Sequence, residues 1–163
     1  MKQLHIIRHG KSSWDLQDIA DIDRPLNDRG VASAYLMAQR LVDRGEIPDL
    51  LLTSPAVRAL STAVIFMRVM KLSPSILQIN ESIYMGYVEE LVQIVRSVDD
   101  RYSNLMLFGH NPSFTMLANR FLVKGIENIP TAGIVSLSFP APKWKDVDRI
   151  RPDKEIFDYP KHL

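Results

Sequence analysis

The chain has 163 residues, 46% of them hydrophobic, with 20 lysines and arginines against 19 aspartates and glutamates. That length fits one domain, residues 1–163, with a sizeable core, and the balanced charge excludes a nucleic-acid binder that relies on net charge. The absence of cysteine excludes a disulfide framework, a thiolate nucleophile and a cysteine metal site.

The chain opens on "QLHIIRH" (3–9), an alternating apolar run that reads as a first strand ending in Arg8-His9-Gly10. Residues 26–44 carry Val31, Tyr35, Leu36 and Leu41 at helical spacing, with Gly45 as a stop. "DLLLTS" (49–54) is a short buried strand, and Pro55 sits at the first turn of a helix through "AVRALSTAVIFMRVM". A strand at 75–80 and a helix at 87–99 follow, then the apolar strand "NLMLFGH" (104–110) and a helix opened by "NPSF". "GIVSLSFP" (133–140) and "VDRIRP" supply closing strands, and the tail "APKWKDVDRIRPDKEIFDYPKHL" is placed to finish the sheet and wrap the surface or meet a partner. Alternating strands and helices predict an α/β fold, a three-layer α/β/α sandwich with a mostly parallel central sheet. No apolar run is long enough to cross a membrane, and charge comes too early for a signal peptide, so a cytoplasmic location is expected.

In open α/β sheets ligands bind at the carboxyl ends of the strands. Here those ends read "RHG", "TSPAVR" and "FGHNP". Taken singly, His9 and His110 are by default hydrogen-bonded surface residues and Arg58 a solvated helical one. His5 reads as such a surface histidine on the face of Ile7, and Glu81 and Tyr84 as loop residues. Three strand ends that each present Arg or His define one electropositive pocket instead. Guanidinium forks match a tetrahedral oxyanion, helix N-termini at Ser54/Pro55 and Asn111/Pro112 add donors, and Gly10 leaves the backbone open to close approach. The expected ligand group is a phosphoryl. Neutral imidazole is a competent nucleophile towards phosphorus, with arginines stabilising the equatorial oxygens. No cofactor and no metal is expected: there is no HExxH, and the acidic residues do not cluster at ligand spacing.

"IIRHGKSSW", "TSPAVRALSTA" and "FGHNPS" together resemble the histidine phosphatase superfamily, the group that includes cofactor-dependent phosphoglycerate mutases. The order of elements fits from residue 2 to about 139. The resemblance implies a phosphoglycerate mutase-like fold with His9 as the nucleophile that becomes phosphorylated, and Arg8, Arg58 and His110 completing the phosphate pocket. The Asn111 backbone amide joins them, and Ser12 falls where mutase-like members place a small hydroxyl against phosphate. Asp15 stands where many members have asparagine, a departure that would weaken an anion contact. "NESIYMG" resembles the segment carrying the proton donor, which makes Glu81 the implied general acid, buried near the phosphate and so protonated. Lys11, Arg24 and Lys124 are candidate secondary anion contacts, with solvated surface charge as the default for each.

Within the superfamily, "RHGKSSWDLQDIADIDRPLNDRG" is most similar to phosphohistidine phosphatases of the SixA type. This implies a phosphatase acting on phosphohistidine in a protein, with no nucleic-acid or membrane partner. A phosphomonoesterase acting on a small phosphorylated metabolite and a non-catalytic module that binds phosphorylated partners stand as the alternatives.

Overall fold

A computed structural model describes residues 1–162; Leu163, the last residue of the tail quoted above, lies outside the described residues. Six strands form one sheet: β1 (Lys2–Arg8), β2 (Leu50–Thr53), β3 (Leu77–Ile79), β4 (Asn104–Gly109), β5 (Ile134–Phe139) and β6 (Lys154–Asp158). Their spatial order is β3-β2-β4-β1-β5-β6. β1, β2, β3 and β4 pair in parallel, while β5 runs antiparallel to both β1 and β6. Five strands therefore point one way and only β5 is reversed.

Helices cover both faces, which is why the strands read as near-continuous apolar runs. Side chains alternate across the sheet with period two. Leu4, Ile6, Leu105, Leu107, Val135 and Leu137 pack on one face with α4 (Val88–Arg96) and α5 (Ser113–Phe121). Ile7, Leu51, Met106, Phe108 and Ile134 pack on the other with α1 (Asp28–Asp43) and α2 (Val57–Val69). This is the three-layer sandwich expected from the alternation of elements. No helix of the described residues is long and apolar enough to cross a membrane.

Three local expectations need correction. The buried face of α1 is Gly30, Ala34, Met37, Ala38 and Leu41, whereas Val31, Tyr35 and Leu36 are exposed. Small residues let the helix backbone lie close to the sheet, and the larger apolar ones fall on its flanks. "VDRIRP" is not a strand: Trp144–Arg149 is a 3-10 helix, with Trp144 and Val147 buried at a spacing of three. The last strand comes later, at Lys154–Asp158. The 87–99 helix is shorter than its periodicity predicts, spanning Val88–Arg96 after a separate turn α3 (Ser82–Met85).

His5 is hydrogen-bonded, as expected, but it is buried rather than on the surface. Its Nδ1 lies 2.8 Å from Ser136 Oγ, and burial pushes its pKa down to about 4.

Candidate phosphoryl-transfer site

Parallel pairing brings the ends of β1, β2 and β4 level. Arg8 pairs with Gly109 and Thr53 with Phe108, so the next residues, His9, Ser54 and His110, come together at one edge of the sheet. Backbone hydrogen bonds continue the ladder there, from His9 N to Gly109 O at 3.0 Å and from Ser54 N to Phe108 O at 3.0 Å. The His9 and His110 rings lie 5.2 Å apart between centroids.

His9 is held in one tautomer. Its Nδ1 is 2.7 Å from the Gly10 carbonyl oxygen, which only accepts, so Nδ1 carries the proton and donates. Nε2 is left with its lone pair. Burial, aided by Arg58, Arg8 and Arg24, lowers the His9 pKa to about 4, so the lone pair is present at neutral pH. Ser54 Oγ accepts from Ala56 N at 3.1 Å and lies 2.7 Å from His110 Nε2. With the Ser54 hydroxyl donating to Nε2, the His110 proton sits on Nδ1. That Nδ1 is buried without a protein partner. A phosphoryl oxygen is the kind of acceptor it lacks. Burial and the neighbouring His9 and Arg58 hold the His110 pKa at about 3.

Three histidines thus fold neutral with depressed pKa values, about 4 for His5 and His9 and about 3 for His110. Between pH 6.5, where an unfolded histidine titrates, and pH 4 the unfolded chain binds more protons than the folded one. Stability falls as pH drops through that window, while above neutral pH these groups change nothing. NMR titration of His9 should give a midpoint near 4, with urea midpoints declining from pH 6.5 downward. A His9 midpoint near 6.5 contradicts the buried, arginine-flanked setting.

Arg58 is the second residue of α2 and is buried, not solvated. Its Nη1 donates to Asp21 O at 2.7 Å and its Nη2 to Asp21 Oδ2 at 2.9 Å. Each Nη keeps a second N–H for a ligand. Arg8 is half-buried; its Nη1 donates to Ile129 O at 2.9 Å and its buried Nε has no protein partner. Arg24 donates to Ser12 Oγ and to Asp21 Oδ1, and its guanidinium carbon sits 3.4 Å from the centroid of the Trp14 ring.

Arg8, His9, Lys11, Ser12, Arg24 and Arg58 line one cleft of about 230 Å³, with Trp14 and Thr131 completing it. The structure therefore gathers most of the predicted residues. Gly10 is an exception in its role. Its amide donates to Thr62 Oγ1 at 3.0 Å, and a Cβ there would meet Gly30 O at 2.7 Å. The N-terminal end of α1 packs against it and leaves no room for a side chain.

The Asn111 side chain is committed too. It donates to Asn128 Oδ1 and Ile129 O and accepts from Thr115, pinning the start of α5 to the 128–129 loop. Its remaining contribution is the backbone amide. Lys124 is exposed and does not line the cleft, and Asp15 is exposed outside it.

Glu81 is exposed at the start of α3, outside the cleft lining. The expected burial does not hold. Tyr84, one turn on, instead reaches the site: its hydroxyl donates to Asp21 Oδ2 at 2.6 Å and its ring lies 5.5 Å from that of His110.

The residue that sequence reasoning passed over is Asp21. Its carboxylate accepts from Arg24, Arg58 and Tyr84 together. The Tyr84 hydrogen bond leads in pulling its pKa down to about 2, and in return the Tyr84 phenol is pushed up. It is an anion fixed between two cations. Its only sequence signal was its place in "DIDRPL", inside a loop without periodicity.

Two arginines, two neutral histidines at strand ends and an orphaned ring nitrogen make a cleft chemically suited to a phosphoryl group. Comparison with known proteins agrees: the sequence profile of the histidine phosphatase superfamily (branch 1) matches residues 4–121, and the chain belongs to that superfamily. The fold is similar to that of a protein assigned as the phosphohistidine phosphatase SixA of Agrobacterium tumefaciens, at 25% identity and a TM-score of 0.78, covering 95% of this chain and 97% of that one. It is also similar to a mycobacterial glucosyl-3-phosphoglycerate phosphatase, at 17% identity and a TM-score of 0.64, covering 98% of each chain. In sequence, 67 residues are 39% identical to a 2,3-bisphosphoglycerate-dependent phosphoglycerate mutase of Gloeothece citriformis. That match takes in 40% of this chain but only 29% of the mutase, so the chain spans less than a third of the length of that relative.

Proposed function

We propose that the protein is a metal-independent phosphatase that works through a phosphohistidine on His9, and that its substrate is phosphohistidine in another protein. The observation that carries the chemistry is the His9 tautomer: Nδ1 tied to the Gly10 carbonyl at 2.7 Å, with Nε2 left as a neutral nucleophile among arginines.

Nε2 attacks phosphorus in line. An N–P bond forms as the bond to the leaving group breaks, and the leaving atom takes the departing electron pair. Arg8, Arg58 and the His110 Nδ1–H hold the equatorial oxygens. Water then attacks the phosphohistidine, the N–P bond breaks, and His9 returns neutral with release of inorganic phosphate.

The protein substrate is favoured by the mouth of the site. A cleft of about 230 Å³ is smaller than the 300–1,000 Å³ usual for pockets that engulf a small molecule. Trp14, on the cleft wall, is exposed, as are Leu16, Met85 and Tyr87, which lie within five residues of Asp21 or Tyr84 in the chain. An exposed aromatic wall suits a protein surface presenting a phosphorylated side chain. A small metabolite is the second reading, supported by the likeness to the glucosyl-3-phosphoglycerate phosphatase. The deciding assay offers a phosphohistidine protein and a panel of phosphate esters in the presence of EDTA. Faster turnover of phosphohistidine supports the proposal; faster turnover of an ester transfers the protein to the metabolite phosphatases. Phosphate binding without turnover of either makes it a binding module.

Glu81 provides a finer test. An alkoxide leaving group needs a proton as the bond breaks, whereas a leaving imidazole can already carry one on its other nitrogen near neutral pH. Glu81→Gln should therefore slow ester hydrolysis more than phosphohistidine hydrolysis. Equal losses on both substrates remove Glu81 from the acid role.

A further inference from the structure

Beside the catalytic cleft lies a second cavity of about 330 Å³, between the first turns of α1 and the C-terminal segment. Lys11, Arg29 and Lys161 surround it, Ser33, Thr131 and Tyr159 add hydroxyl groups, and among the described residues no carboxylate lines it. Lys11 and Thr131 also line the catalytic cleft, so the two cavities share a wall. Among the described residues, none of the three cations takes part in an ion pair.

The C-terminal wall is fastened rather than loosely draped. Arg40 donates to Asp158 Oδ1 at 2.8 Å, to Tyr159 O at 3.0 Å and to Pro160 O at 3.3 Å. The Tyr159 ring packs between Phe157 and His162. Three cations with no ion-pair partner among the described residues thus face one concave volume that opens beside the phosphoryl site. Each hydroxyl group there can donate to an anion, and the volume lies within the range of small-ligand pockets.

We propose that this cavity is a second anion subsite, which binds a further carboxylate or phosphate of the same molecule whose phosphoryl group sits at His9. The assignment rests on the phosphatase reading above and adds a requirement to it: the preferred substrate carries a second negative charge near the transferred group. On a small substrate that charge is a carboxylate or second phosphate. On a protein substrate it is an acidic side chain near the phosphohistidine.

Competitive inhibition separates the subsite from the catalytic pocket. Alkylphosphonates measure the phosphoryl site alone, and phosphonates of matching length ending in a carboxylate, from phosphonoacetate upward, measure both. At one chain length the carboxylate should tighten inhibition about tenfold. The double variant Arg29→Gln/Lys161→Gln should lose that gain while alkylphosphonates inhibit as before, which also reports an intact fold. No gain at any length, or a gain that survives in the double variant, overturns the subsite. If no phosphonate of either kind inhibits, the phosphoryl-site reading fails along with it. The source of the second charge follows from turnover. Loss in the double variant on a carboxylate-bearing phosphate ester identifies a metabolite, and loss on a phosphohistidine peptide with acidic neighbours identifies a protein. Unchanged turnover of both overturns the proposal.

Discussion

His9→Ala should lower kcat/KM by about 10³-fold or more, because it removes the atom that bonds to phosphorus and no neighbouring group can replace it. His110 is the nearest candidate, 5.2 Å away between ring centroids, but its Nε2 is committed to Ser54 and its Nδ1 carries the proton. The arginines survive in this variant, so inorganic phosphate should still bind. Loss of turnover with retained binding is the expected pair of results, read by steady-state kinetics and by isothermal titration with phosphate. Activity within tenfold of wild type would mean that water attacks the substrate directly.

The second large effect is expected at Arg58. Arg58→Lys keeps the charge but not the fork, and a single ammonium cannot hold Asp21 through two nitrogens while presenting further N–H groups to phosphate. A fall of about 10²–10³-fold in kcat/KM is expected, the scale seen when one preorganised donor to a developing oxyanion is lost. The fold should hardly notice. The partner carboxylate of Asp21 is 52% exposed, and ion pairs of that kind contribute about 0–1 kcal/mol. An unchanged thermal midpoint beside collapsed activity separates catalysis from unfolding; near-normal activity would place the phosphate away from Arg58.

What could be read from the chain and what could not divide along physical lines. The ends of β1 and β4 were legible because an apolar run that stops at Arg8-His9-Gly10, or at Gly109-His110, carries its signal within a few residues. Parallel pairing then brought those ends together without further information. Asp21 was not legible: its importance lies in reaching Arg58, Arg24 and Tyr84 at once, and two of those contacts come from distant parts of the chain. The crowding at Gly10 was not legible for the same reason, since its crowding partner is Gly30, brought close by the packing of α1. The inward face of α1 is built on alanines, while the residues that looked like its apolar stripe, Val31, Tyr35 and Leu36, lie outside. β6 was not told apart from the preceding segment because an edge strand reading "KEIFD" buries little, while "VDRIRP" carries as many apolar residues yet supplies half its length to a 3-10 helix. Glu81 is the remaining case: a matching local motif fixed its place in the chain but not its burial.

The proposed mechanism runs through a covalent intermediate on one atom of one residue. The most direct measurement is rapid quenching during turnover of a labelled phosphohistidine protein, followed by mass spectrometry of the digested enzyme and ³¹P NMR of the trapped species. The phosphoryl group is expected on His9, attached at Nε2 because Nδ1 is occupied with the Gly10 carbonyl. A phosphoryl group found on His110, at Nδ1 of His9, or on no enzyme residue while product accumulates in a burst would contradict it.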